Sequence, residues 1–207
     1  MTQAARADST VGNNLELNKG DNFIFAVDVS GSMGTKDCPG GASRIEFLKE
    51  QVISFAIEAS KWDTDGIDVL TFGHQVLAHK GVSAEKAKEL IGGFKATESS
   101  TDTAGVIAKA YDLHKAGGYE QTVCFVATDG EPADRSKVMD TIRKIASEVK
   151  DPREFGISFL TVGNIDASLR SFLTELDDNL NAKHDIVDVR ALTEVDFMAA
   201  FAGAIND

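Results

Sequence analysis

The chain has 207 residues, 43% hydrophobic and 26% charged, which suffices for one sizeable domain with a real core. Its net charge of −12 argues against a nucleic-acid backbone or an anionic membrane as the main partner, because both would repel it. A cation or a basic protein surface suits that charge, and solubility alone explains much of it.

The opening "MTQAARADSTVGNNLELNKG" holds no apolar segment of signal-peptide length. Residues 1–18 read as a flexible polar tail, and 19–207 as a single domain. The first strand is expected at Phe23–Val29 and leads into "DVSGSMG", Asp28 to Gly34. A helix follows, with Ile45, Leu48, Val52, Phe55, Ala56 and Ala59 on one face. Strands at Ile67–Phe72 and Gln75–His79 lie too close together for a parallel crossover, so they predict an antiparallel hairpin at a sheet edge. A short helix is expected from Ala84 to Ile91. The segment "TESSTDTAG" then opens a helix from Thr103 to Lys115.

The strand Thr122–Thr128 runs directly into "DGEP" at Asp129–Pro132. Val138, Ile142, Ile145 and Val149 mark the next helical face, and Leu169, Phe172, Leu173 and Leu176 another. Strands at Gly156–Val162 and Asp185–Val189 and a last helix from Glu194 to about Ala204 complete the pattern. No stretch approaches the roughly 20 apolar residues of a membrane span. The two cysteines, Cys38 and Cys124, make no disulfide framework and suit a reducing compartment, so a cytoplasmic protein is expected.

"FIFAVDV", "TVCFVAT" and "GISFLTV" are nearly continuous apolar runs, the mark of strands buried on both faces. They predict an α/β fold, doubly wound and Rossmann-like. Its six-stranded sheet is mostly parallel, with one antiparallel edge strand and helices on both faces. In such a sheet ligands bind beyond the carboxyl ends of the strands, where the strand order reverses. Asp28, Ser30 and Ser32 arrive at that edge from the first strand. Asp129 and Glu131 arrive from "DGEP", and Glu98, Ser99, Ser100, Thr101, Asp102 and Thr103 from the segment between.

Each piece alone has an ordinary structural explanation. Asp28 and the serines can cap a turn, Thr101 or Thr103 can be a helix N-cap, and Asp-Gly-Glu-Pro is a good turn sequence. Their joint placement is more informative. Two buried strands both end in an aspartate, and neighbouring carboxylates repel unless a positive charge lies between them. A hard divalent cation, with hydroxyl ligands and carboxylates holding its waters, resolves this.

"DVSGSMG", "STDTAG" and "ATDGEP" resemble the three loops of the metal-ion-dependent adhesion site of von Willebrand factor type A domains. The likeness covers about residues 21–205 and is strongest to the stand-alone bacterial members of the family. It implies that Ser30 and Ser32 ligate Mg²⁺ directly, or Mn²⁺ or Ca²⁺, and that Asp28 and Asp129 act mostly through water. Thr101 takes the role of the second-loop threonine. Thr103 is its alternative, because Ser99 and Ser100 stand where many relatives have glycine. It further implies a partner protein that completes the ion's shell with an Asp or Glu, and by analogy an AAA+ ATPase or a stress-response complex. The loop "GTKDCPGGAS" looks longer than usual, which makes Asp37, Cys38 and Pro39 candidates for shaping partner choice against the reading of a tolerated insertion.

Two other classes compete. A haloacid-dehalogenase phosphatase needs a second aspartate where Ser30 stands, and a dinucleotide enzyme needs Gly-x-Gly-x-x-Gly after its first strand. Hydrolysis by a metal-bound water is chemically open, but the four histidines (74, 79, 114 and 184) show no ligand spacing. A scaffold without a metal would be expected to have lost one of the ligand-type residues, and none is missing.

Overall fold

A computed structural model of the chain describes residues 22–59 and 66–192. The tail at 1–18 and the helix expected from Glu194 lie outside the described residues. In chain order the elements are β1 (Asn22–Asp28), α1 (Arg44–Ala59), β2 (Ile67–Phe72), β3 (Val76–Val82), α2 (Ala84–Gly92), α3 (Thr103–Gly117), β4 (Thr122–Thr128), α4 (Arg135–Glu148), β5 (Phe155–Thr161), α5 (Ala167–Asp178) and β6 (Val187–Ala191). The six strands lie in the order β3-β2-β1-β4-β5-β6. All neighbours pair in parallel except β2 with β3, the antiparallel hairpin at the edge.

The apolar strands are continuous because both faces are covered. Along β1, Phe23, Phe25 and Val27 point into one core layer with Leu48, Val52 and Phe55 of α1 and Ile91 of α2. Ile24 and Ala26 point into the other, against Val106 and Ile107 of α3 and Ile142 of α4. Phe25, Phe55 and Phe125 pack ring against ring, with Phe25 and Phe55 centroids 5.2 Å apart. Helices on both faces make this the expected doubly wound α/β fold. No helix among the described residues is long and apolar enough to cross a membrane.

Four strands differ in their bounds from the sequence expectation: β1 runs Asn22–Asp28 rather than the expected Phe23–Val29, with Asn22 pairing with Thr122, and β3, β5 and β6 differ as well. β3 begins one residue later than expected and continues three residues further, to Val82. Gly81 adopts φ 55° and donates its N–H to Asp68 Oδ1, while the β2–β3 register shifts between Ile67 and Val69, so the glycine forms a bulge. β5 begins one residue earlier, at Phe155, which pairs with Thr122. β6 begins at Val187 rather than Asp185, because the Asp185 side chain accepts the Val187 N–H in a turn before the strand.

The strand order decides where a ligand can sit. The chain winds from β1 outward through β2 to β3, then crosses to β4 and winds the other way. β1 and β4 are therefore parallel neighbours at the switch point, with Val27 opposite Ala127, and their carboxyl ends splay into loops side by side.

Candidate metal centre

Asp28 closes β1 and is fully buried. Its Oδ1 accepts the Ser30 N–H at 2.8 Å, and its Oδ2 accepts the Thr128 hydroxyl at 2.6 Å. The Gly130 N–H in turn donates to Thr128 Oγ1 at 3.2 Å. These bonds hold the carboxylate but do not remove the cost of burying it. Burial pushes the Asp28 carboxyl up to about 6 despite the Thr128 and Ser30 hydrogen bonds, and nearby Asp129 adds repulsion in the same direction.

Ser30 precedes a short 3₁₀ turn, Gly31–Gly34, yet its side chain does not cap it. Ser32 Oγ donates to Asp129 Oδ1 at 2.8 Å, so the 3.0 Å contact between the serine hydroxyls has Ser30 as donor. Backbone bonds fasten this loop to the second one. The Gly31 N–H donates to Glu98 O, and the Glu98 N–H donates to Val29 O. Thr101 is buried. A Cβ placed on Gly130 would lie 3.6 Å from Ser32 Oγ and 3.9 Å from Thr101 Oγ1, so both hydroxyls border the space that a side chain at 130 would enter.

The helix N-cap is neither threonine. Asp102 caps α3, its side chain accepting the Gly105 N–H at 3.0 Å. Thr103 is in the first turn, its hydroxyl buried without a partner. Glu131 is exposed and paired with Arg135, away from the carboxylates.

Sequence reasoning missed Arg44. Its Nη1 donates to Asp129 Oδ2 at 2.6 Å, both side chains being almost fully buried. The counter-charge that two neighbouring carboxylates require is thus partly supplied by the protein. The signal was slight: a single arginine at the start of α1, on the side facing the sheet.

The donor set can be tested against a metal on its chemistry. Asp28, Ser30, Ser32, Thr101 and Asp129 offer only hard oxygen atoms, from strands and loops that meet at one sheet edge. Among the described residues, no group of three or more His, Cys, Asp or Glu side chains forms a metal site. A set with three hydroxyls and two carboxylates is of another kind. It fits a small hard cation that keeps part of its water shell, and the unfavourable burial of Asp28 is what such a cation relieves.

Fold and site define a Rossmann-like α/β domain with converging polar loops at the β1–β4 switch point. The family model of the von Willebrand factor type A domain matches residues 22–198, and the chain belongs to that family. By sequence, no curated protein matches it.

Several solved structures share the fold. The manganese-loaded TRAP protein of Plasmodium vivax is 13% identical with a TM-score of 0.61, over 90% of this chain and 72% of that one. The PilB minor pilin from Streptococcus sanguinis is 10% identical with a TM-score of 0.64, over 93% and 61% of the two chains. A von Willebrand factor type A protein from Catenulispora acidiphila is 18% identical with a TM-score of 0.53, over 90% and 41%. The chain thus spans less than two thirds of the latter two, and at these identities the likeness is one of fold.

Proposed function

We propose that the chain is a divalent-cation-dependent protein-binding module. In this reading Asp28, Ser30, Ser32, Thr101 and Asp129 hold Mg²⁺ or Mn²⁺, and a partner protein contributes an Asp or Glu carboxylate. The observation that carries it is the meeting of two buried carboxylates from neighbouring strands with the Ser30 and Ser32 hydroxyls, beside buried Thr101. Membership of the von Willebrand factor type A family supports it. So does the manganese in the TRAP structure, which is a statement about that protein.

When bound, the ion would offer a Lewis-acidic position to a partner's carboxylate. The chain's own residues prepare that position. Thr128 and the Ser30 N–H orient Asp28, while Ser32 and Arg44 take one oxygen each of Asp129. Both carboxylates are thereby held by protein donors, which suits contact through water rather than bidentate ligation. A cation so held keeps most of its positive charge, and a carboxylate from outside is attracted to it.

Binding is favoured over turnover by membership of the von Willebrand factor type A family. The buried free cysteines, Cys38 and Cys124, favour a reducing compartment, the cytoplasm, as the place of action.

The test is thermal unfolding with EDTA, Mg²⁺ or Mn²⁺, together with capture of partners with and without EDTA. Metal should raise the melting temperature, Asp28→Ala should abolish the rise, and captured partners should be released by EDTA. A melting temperature indifferent to saturating metal would remove the metal from the reading. A partner that stays bound in EDTA would remove the metal bridge but not the family.

A further inference from the structure

Arg44 is fastened on three sides. Its Nε and Nη2 donate to Asp37 Oδ1 and Oδ2 at 2.8 and 2.6 Å, a two-pronged pairing. Nη2 also donates to Asn164 O at 3.0 Å, and Nη1 donates to Asp129 Oδ2 at 2.6 Å. Asp37 is itself held by the Asn164 N–H at 3.0 Å. The loop between β1 and α1, the end of β4 and the loop after β5 are thus joined through a single guanidinium.

Gly163 makes room for this arrangement. It has φ +69°, and a Cβ there would lie 2.5 Å from both Arg44 Nε and Asp37 Oδ1. The Arg44–Asp37 pair is packed directly on the backbone, and a side chain at 163 would displace it.

We propose that Arg44 is a positioning residue that sets both the orientation and the net charge of the metal centre, with Asp37 tuning it from the loop. The inference rests on the metal reading above. Asp129 is turned so that one oxygen faces Arg44 and the other faces Ser32, leaving neither carboxylate oxygen unshared. The positive charge behind Asp129 weakens the site's pull on a cation, and Asp37 offsets part of that charge. The β1–α1 loop therefore has a function: its Asp37 adjusts metal affinity from outside the ligand set.

A charge at Arg44 has a consequence for metal binding that a merely structural clamp does not share. Breaking a clamp from either end would impair metal binding in the same direction. Removing charge from the two ends must act in opposite directions, since one change makes the centre more negative and the other less. Mn²⁺ affinity is read from the electron paramagnetic resonance signal of free Mn²⁺, with circular dichroism to verify folding.

Arg44→Gln is expected to bind Mn²⁺ about tenfold more tightly than the wild type, and Asp37→Asn about threefold more weakly. Arg44→Lys, which keeps the charge without the fork, should stay within about threefold of the wild type. Should Arg44→Gln not fold, Arg44→Lys decides, because it keeps the charge and breaks the two-pronged clamp: affinity within about threefold of the wild type supports the charge, and a loss well beyond that overturns the proposal. Unchanged or weaker binding by folded Arg44→Gln overturns the proposal, and so does unchanged or tighter binding by Asp37→Asn. If neither the wild type nor the variants bind Mn²⁺, the metal reading falls and the proposal with it. If the wild type binds but affinity ignores these charges, the proposal alone falls.

Discussion

Arg44 and Asp129 meet with Nη1 and Oδ2 2.6 Å apart, and their side chains are 10% and 0% exposed. An aspartate this deeply buried at the end of a central strand depends on its partner. Loss of one member of a buried pair strands the other charge in a poorly solvating environment, at a cost of about 3–5 kcal/mol. Arg44→Ala is therefore expected to lower the stability of the metal-free protein by about that amount in urea unfolding with EDTA. A loss below about 1 kcal/mol would mean that water solvates Asp129 after all.

Asp28 presents the opposite case, a carboxyl raised to about 6 mainly by burial. Its native pKa lies above the unfolded value of 3.8, so between about 4 and 6 the folded state binds the proton more tightly. This group's contribution to stability is present at low pH and is lost as pH rises through about 6. Asp28→Asn, neutral throughout, should therefore be more stable than the wild type in EDTA at pH 7, by up to about 3 kcal/mol. The difference should shrink toward zero as pH falls to about 4. The same variant should lose the stabilisation by Mn²⁺, and a variant less stable than the wild type at every pH would contradict the burial argument.

Gly163 offers a test that needs no metal. Gly163→Ala forces a side chain into the left-handed region and against Arg44 and Asp37. A loss of at least about 2 kcal/mol is expected in urea unfolding. In a double-mutant cycle with Asp37→Asn the losses should fall short of additive, because both changes disrupt the same pairing. Strict additivity would show that the glycine is needed for its backbone conformation alone.

The two threonines at the start of α3 can be separated by metal response. Thr101→Ala should abolish the rise in melting temperature with Mn²⁺ and cost no more than about 1 kcal/mol in EDTA, the net worth of a single hydroxyl. Thr103→Val replaces a buried hydroxyl without a partner by a methyl of similar shape, so it should be neutral or stabilising and should keep the metal response. The reverse pattern would assign the ligand role to Thr103.

Much of this molecule was legible from local pattern. Continuous apolar strands can be buried only between two helix layers, and the short Phe72-to-Val76 connection allows only a hairpin. Those facts fix α/β winding before any contact is known. The adjacency of Asp28 and Asp129 was harder, since it depends on β1 pairing with β4, a relation across a hundred residues. The recurrence of "DVSGSMG", "STDTAG" and "ATDGEP" in one order made it readable as a family resemblance.

Other features exist only in the folded chain. Asp102 rather than a threonine caps α3 because local geometry selects among adjacent capping residues with similar propensities. The identity of a residue does not tell which of its neighbours the helix start will use. The bulge at Gly81, whose N–H donates to Asp68 across the hairpin, likewise depends on the pairing of β2 with β3.

"DVSGSMG" and its companion loops determined by themselves which oxygen atoms this protein gathers at one sheet edge. Only tertiary structure decided that Arg44, arriving from the next helix with Asp37 and Asn164 about it, would stand behind Asp129. The physical reason is range. Side-chain periodicity and turn chemistry act over a few residues, whereas the charge beside a buried carboxylate depends on segments that only folding brings together.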